Sequence, residues 1–127
     1  MKRLLPLSLV AALGAVAPVP AFAAPGEMSV GTFLAKADAL KARGIMALGS
    51  SDIGLLKTEG QAAGQAYRAR LTAERAAGKP SSCPPKGTKV GSAAMIAHLR
   101  GYPPAARGGT TMETAIADYF IKTYPCR

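Results

Sequence analysis

The feature that most constrains this chain is one long helical pattern near its middle. From Ser51 or Asp52 to about residue 77 no proline interrupts the sequence, and Ile53, Leu56, Gly60, Ala63, Gly64, Tyr67 and Leu71 recur on one face. Lys57, Glu59, Gln61, Arg68 and Arg75 fall on the other, solvated face. Gly78 and Pro80 close the stretch. In a chain of 127 residues, with room for one domain at most, the rest must pack against this helix. Gly60 and Gly64 each cost up to about 1 kcal/mol relative to alanine inside a helix. They therefore point to a second backbone packing closely on that face.

The flanking segments read as shorter helices. Residues 24 to 28 form a short Ala-Pro-Gly lead, expected to be mobile. Val30, Phe33, Leu34, Ala37 and Leu40 recur at helical spacing over about 29 to 43, with Ser29 placed to cap and Gly44 to terminate. Ile45, Met46 and Leu48 follow in a brief apolar connector. The prolines and glycines of residues 79 to 91 make a loop. Ser92 then caps a short helix with Met95, Ile96 and Leu99 inward, stopped by Gly101, Pro103 and Pro104. A second loop runs through Arg107-Gly108-Gly109. Thr110 to Glu113 fits a T-x-x-E capping box before a last helix that buries Met112, Ala115, Ile116, Tyr119 and Phe120 and ends near Thr123. No sustained β-branched alternation occurs, so the expected fold is all-α: a small bundle of about four main helices.

The amino terminus has the form of an export signal. Lys2 and Arg3 precede the apolar run from Leu4 to Val16, and Pro18 and Pro20 precede Ala21-Phe22-Ala23, a small-x-small cleavage site. The run is well short of the roughly 20 apolar residues that span a bilayer. Cleavage after Ala23 is expected, giving a periplasmic domain over 24 to 127. Loss of Lys2 and Arg3 lowers the net charge from +9 to +7. In an oxidising compartment the only two cysteines, Cys83 and Cys126, are expected to form one structural disulfide. Closing a loop of that length removes roughly 4 kcal/mol of unfolded-chain freedom in the loop-entropy model.

Catalysis is not expected. His98 is the one histidine, and without a nucleophile or orienting partner it reads as a surface or core-edge residue. The seven acidic residues are scattered, and no cofactor, phosphate-loop or metal-ligand spacing occurs. The charge asymmetry lies between residues 68 and 89, where Arg68, Arg70, Arg75, Lys79, Lys86 and Lys89 face only Glu74. Such a segment is either a solvated face or a surface that steers an acidic protein partner. Nucleic acid is not an expected partner, because the product is exported and aromatics are not interleaved as stacking platforms. Self-association into a homodimer stays open.

Three elements in order carry a family resemblance. Ser82-Cys83-Pro84-Pro85 follows the long helix; Met95-Ile96-Ala97-His98-Leu99 leads into Tyr102-Pro103-Pro104 and Arg107; and Tyr124-Pro125-Cys126 ends the chain. Together they resemble the Rap/Tai immunity proteins of type VI secretion systems, over most of residues 51 to 127. Many relatives carry further cysteines in the N-terminal half, where this chain has none. The resemblance implies a small exported all-α protein that neutralises a toxic effector, often a peptidoglycan amidase, by stoichiometric binding. Arg107 falls within the family-like motif and marks an alternative surface over Gly101 to Gly109. HdeA-like periplasmic chaperones are similar in size and architecture, and an envelope-binding role is a further alternative.

Overall fold

The computed structural model describes residues 23–127. The export signal expected over residues 1 to 23 lies outside the described residues except for Ala23. Five α-helices follow in order: α1 (Val30–Arg43), α2 (Ser51–Ala76), α3 (Ser92–Arg100), α4 (Pro104–Arg107) and α5 (Met112–Thr123), with a 3-10 helix, Gly44–Gly49, between α1 and α2. Four of the α-helices are substantial, and no named strand occurs among the described residues. The fold is all-α with one disulfide, Cys83 to Cys126, at a Cα separation of 4.9 Å.

Local chemistry sets most of the boundaries. The Ser29 hydroxyl accepts from the Thr32 amide at 3.1 Å, and Ser50 caps α2 through the Asp52 amide at 3.3 Å. At the other end of α2, Gly78 takes φ 72°. Its amide donates to Arg75 O at 3.0 Å while the Lys79 amide donates to Glu74 O at 2.9 Å. That pair of bonds is a Schellman closure, which satisfies carbonyls the helix leaves free.

The core joins all the substantial helices. Val30, Phe33 and Leu34 from α1 meet Ala63, Tyr67 and Leu71 from α2, Leu99 from α3, and Met112, Ala115, Ile116 and Ala117 from α5. The α2–α5 pair is the most extensive packing in the bundle.

The structure corrects several expectations. Residues 24 to 28 form a strap across the N-terminal end of α5. Gly26 O accepts from the Glu113 amide at 3.0 Å and Met28 O from the Met112 amide at 2.8 Å, so the strap satisfies donors that a helix start leaves orphaned. Glu59, which periodicity assigns to the solvated face, is buried because the strap crosses over it. Its carboxylate accepts from the Gly26 amide at 2.7 Å and the Met28 amide at 3.3 Å.

The last helix is capped by Thr111, whose hydroxyl accepts from the Thr114 amide at 3.2 Å, and not by Thr110. Thr110 is committed elsewhere: its carbonyl accepts from the Val30 amide at 2.8 Å and its hydroxyl donates to Ala106 O at 2.9 Å. The T-x-x-E box therefore does not form. For α3 the cap position is Gly91, and Ser92 is already helical. Pro104 starts the single turn α4 inside what reads as a loop, in keeping with proline's fit at a first helical position.

Candidate binding groove

The helix α2 has two faces that differ in what they meet. On one, Ala63 is buried beneath Gly26. On the other, a Cβ added at Gly60 or Gly64 would meet nothing within 4 Å. The close backbone approach expected at Gly60 and Gly64 is thus absent. These glycines floor an open groove, while the close approach occurs at Ala63 and is made by Gly26, whose φ of 95° and tight fit exclude a side chain.

The groove has a volume of about 720 Å³. Phe33, Leu56, Met95, Ile96, Ile116 and Phe120 give it an apolar lining, and Lys57 and Arg68 carry its positive charge. It meets a second recess of about 550 Å³ at Arg68, Thr88 and Phe120. Leu71, Pro84 and Pro85 line that recess, with Arg75 and Lys86 as its cations. Neither lining includes a carboxylate. On α2 the lining residues 57, 60, 61, 64, 65, 68, 72 and 75 follow helical spacing and form one stripe.

The loop that makes the second wall is held from three directions. The Cys83 amide donates to Tyr124 O at 2.8 Å beside the disulfide. The Tyr67 hydroxyl hydrogen-bonds to those of Ser81, at 3.2 Å, and Ser82. Glu74 accepts from the Ser81 amide at 2.7 Å and from Arg70 Nε at 2.6 Å. The Ser81 hydrogen bonds, then Arg70, hold the Glu74 carboxyl at about 2, well below its ordinary value.

The seven candidate cations separate into groups. Arg68, Arg75 and Lys86 come together on the groove. Arg70 is engaged by Glu74 and lies 5.8 Å from the centroid of the Tyr67 ring. Lys79 and Lys89 are exposed but line neither recess. Arg107 is half-buried and donates from Nε to Tyr102 O at 2.9 Å and from its terminal nitrogen to Arg100 O at 2.8 Å, bracing the end of α3. Lys57 joins the groove cations although its place outside residues 68 to 89 hides it in the sequence. Its spacing from Arg68, eleven residues or about three helical turns, is the signal that links them.

His98 sits at the edge of the core. Its Nε2 lies 2.8 Å from Ala115 O, and its ring packs edge-on against Tyr102 and Tyr119, each at 5.4 Å. The Tyr102 hydroxyl donates to Asp118 at 2.5 Å, and burial, followed by that bond, pushes the phenol's pKa upward. Among the described residues no group of three or more His, Cys, Asp or Glu side chains is placed to hold a metal ion. No helix among them is long and apolar enough to cross a membrane. The chain matches no family model, no curated protein and no solved structure at a significant level.

Proposed function

We propose that this chain is an exported immunity protein of the Rap/Tai kind, which binds a toxic effector, such as a peptidoglycan amidase, and neutralises it stoichiometrically in the periplasm. Cleavage after Ala23 delivers it there. The observation that carries the reading is the apolar groove with Lys57, Arg68, Arg75 and Lys86 around it and no carboxylate in its lining. A loop already fixed by the disulfide and by Tyr67 loses little freedom on docking, and its cations raise the encounter rate with an acidic surface. The chain performs no chemistry of its own.

The test is co-expression with the product of the neighbouring toxin or hydrolase gene. The wild-type chain is expected to protect cells and to form a 1:1 complex. Charge reversal at Arg68, Arg75 and Lys86 should abolish protection while helical circular dichroism is unchanged. Retention of protection by that variant, with its loss in Arg107→Glu, moves the contact to the loop from Gly101 to Gly109. Failure of the wild-type chain to protect against any such product defeats the immunity reading.

A second reading, an HdeA-like chaperone or other envelope-binding protein, draws on the 3-10 helix. There Ile45, Met46 and Leu48 are 80%, 75% and 76% exposed. Suppression of client aggregation by the wild-type chain, lost on replacing these three by serine, would favour it.

A further inference from the structure

We infer that the groove along α2 is the seat of an acidic amphipathic helix from a partner protein, an inference that rests on the binding reading above and specifies its occupant. The stripe from Lys57 to Arg75 runs roughly 27 Å at 1.5 Å per residue, about five helical turns. Its walls are helices α2, α3 and α5, with Phe33 of α1 and the loop around Thr88. Gly60 and Gly64, one turn apart, leave the α2 backbone uncovered. Small residues at that spacing let a second helix approach closely. The apolar lining takes the occupant's apolar face.

The charges define the occupant further. Lys57 lies toward one end, Arg68 between, and Arg75 with Lys86 at the other, and none belongs to an ion pair among the described residues. One anionic headgroup would engage only one end of this row. Carboxylates about three and two turns apart on a helix would engage all of it. A second copy of this chain fits poorly, because Glu27, Asp38, Asp52, Glu59, Glu74 and Asp118, six of its seven acidic residues, are already bonded within the fold.

The test uses the mature, disulfide-bonded chain and two synthetic three-heptad peptides. Both carry leucines on one face, with glutamates on the other in the first and lysines in the second. Titration calorimetry is expected to give micromolar binding of the glutamate peptide, at least tenfold tighter than the lysine peptide. Gly60→Leu/Gly64→Leu should weaken it at least tenfold. Should that variant unfold, Lys57→Glu/Arg68→Glu gives the independent readout, an inverted preference for the lysine peptide.

Binding that ignores peptide charge, survives both variants, or is weaker than millimolar overturns the inference. So does oleate binding at the groove in preference to the glutamate peptide, which would make the site a lipid pocket. In toxin-protection assays, full protection by Gly60→Leu/Gly64→Leu removes the groove from the contact and leaves the immunity reading standing. Peptide binding in a chain that protects against no toxin does the reverse.

Discussion

Glu59 and Gly60 are neighbours on α2, and so are Ala63 and Gly64, yet each pair straddles two different surfaces. Glu59 and Ala63 lie under the strap, closed by the chain's own backbone. Gly60 and Gly64 lie in the open groove. The contrast teaches that a glycine in a helix marks room for a neighbour without saying whether the fold supplies one. Under the strap the small residue that permits contact is Gly26, on the approaching segment.

The largest expected effect tests the wall of the open side. Cys126→Ser frees the loop around Cys83, and denaturant unfolding should show a loss of about 2 to 5 kcal/mol. An unchanged midpoint would mean that Tyr67 and Glu74 hold the loop without covalent help. The closed side is probed next. Glu59→Leu leaves the Gly26 and Met28 amides without their acceptor, and should cost about 2 to 3 kcal/mol. Hydrogen exchange at those amides should rise at the same time. Gly26→Ala, with its left-handed backbone and a Cβ that would come within 3.1 Å of Ala63 N, should cost about 1 to 3 kcal/mol.

On the open side the sign reverses. Gly60→Ala and Gly64→Ala meet no neighbour, so each should stabilise the chain by up to about 1 kcal/mol in thermal unfolding. Destabilisation by either would show that the groove closes in solution. The smallest effect is a pH dependence. The Glu74 carboxyl falls from 4.5 to about 2 in the folded chain, so its contribution is complete above about 4.5 and is lost as pH drops through about 2. Wild type should lose melting temperature over that window, and Glu74→Gln should lose less.

The helices were legible in the sequence because their signals are local: apolar spacing, Ser29 beside Thr32, Gly78 after Ala76. The bridge was legible because two cysteines leave only one pairing. Glu59 and the strap were not, since the groups that bury a charged residue lie more than thirty positions away and leave no periodic trace. The shift of the α5 cap from Thr110 to Thr111 has the same origin, a tertiary bond from Val30 that no window around Thr110 contains. Of the candidate site, the cations of α2 and the loop were readable as a cluster. Lys57 escapes a reading of charge along the chain, because the groove gathers charge along a helix face. Arg107 stands in the sequence as available charge, but its backbone partners Tyr102 and Arg100 emerge only when the chain turns back at Pro103 and Pro104.

The disulfide also divides the chain topologically. Cys83 and Cys126, 43 positions apart, enclose α3, α4 and α5 in a covalent ring that leaves α1 and α2 outside. A protease that nicks the ring after Lys86, Lys89 or Arg107 releases no fragment, because both cut ends stay attached through sulfur. A nick between α2 and Cys83 would sever the ring from α2, but the one basic position there, Lys79, precedes Pro80, and a Lys–Pro bond resists proteases specific for basic residues. The five basic positions inside the ring, Lys86, Lys89, Arg100, Arg107 and Lys122, are therefore each tolerant of a single cut, and the short link from α2 to Cys83, braced by the Schellman turn and the Glu74–Ser81 contact, is the one whose cleavage the bridge does not hold together.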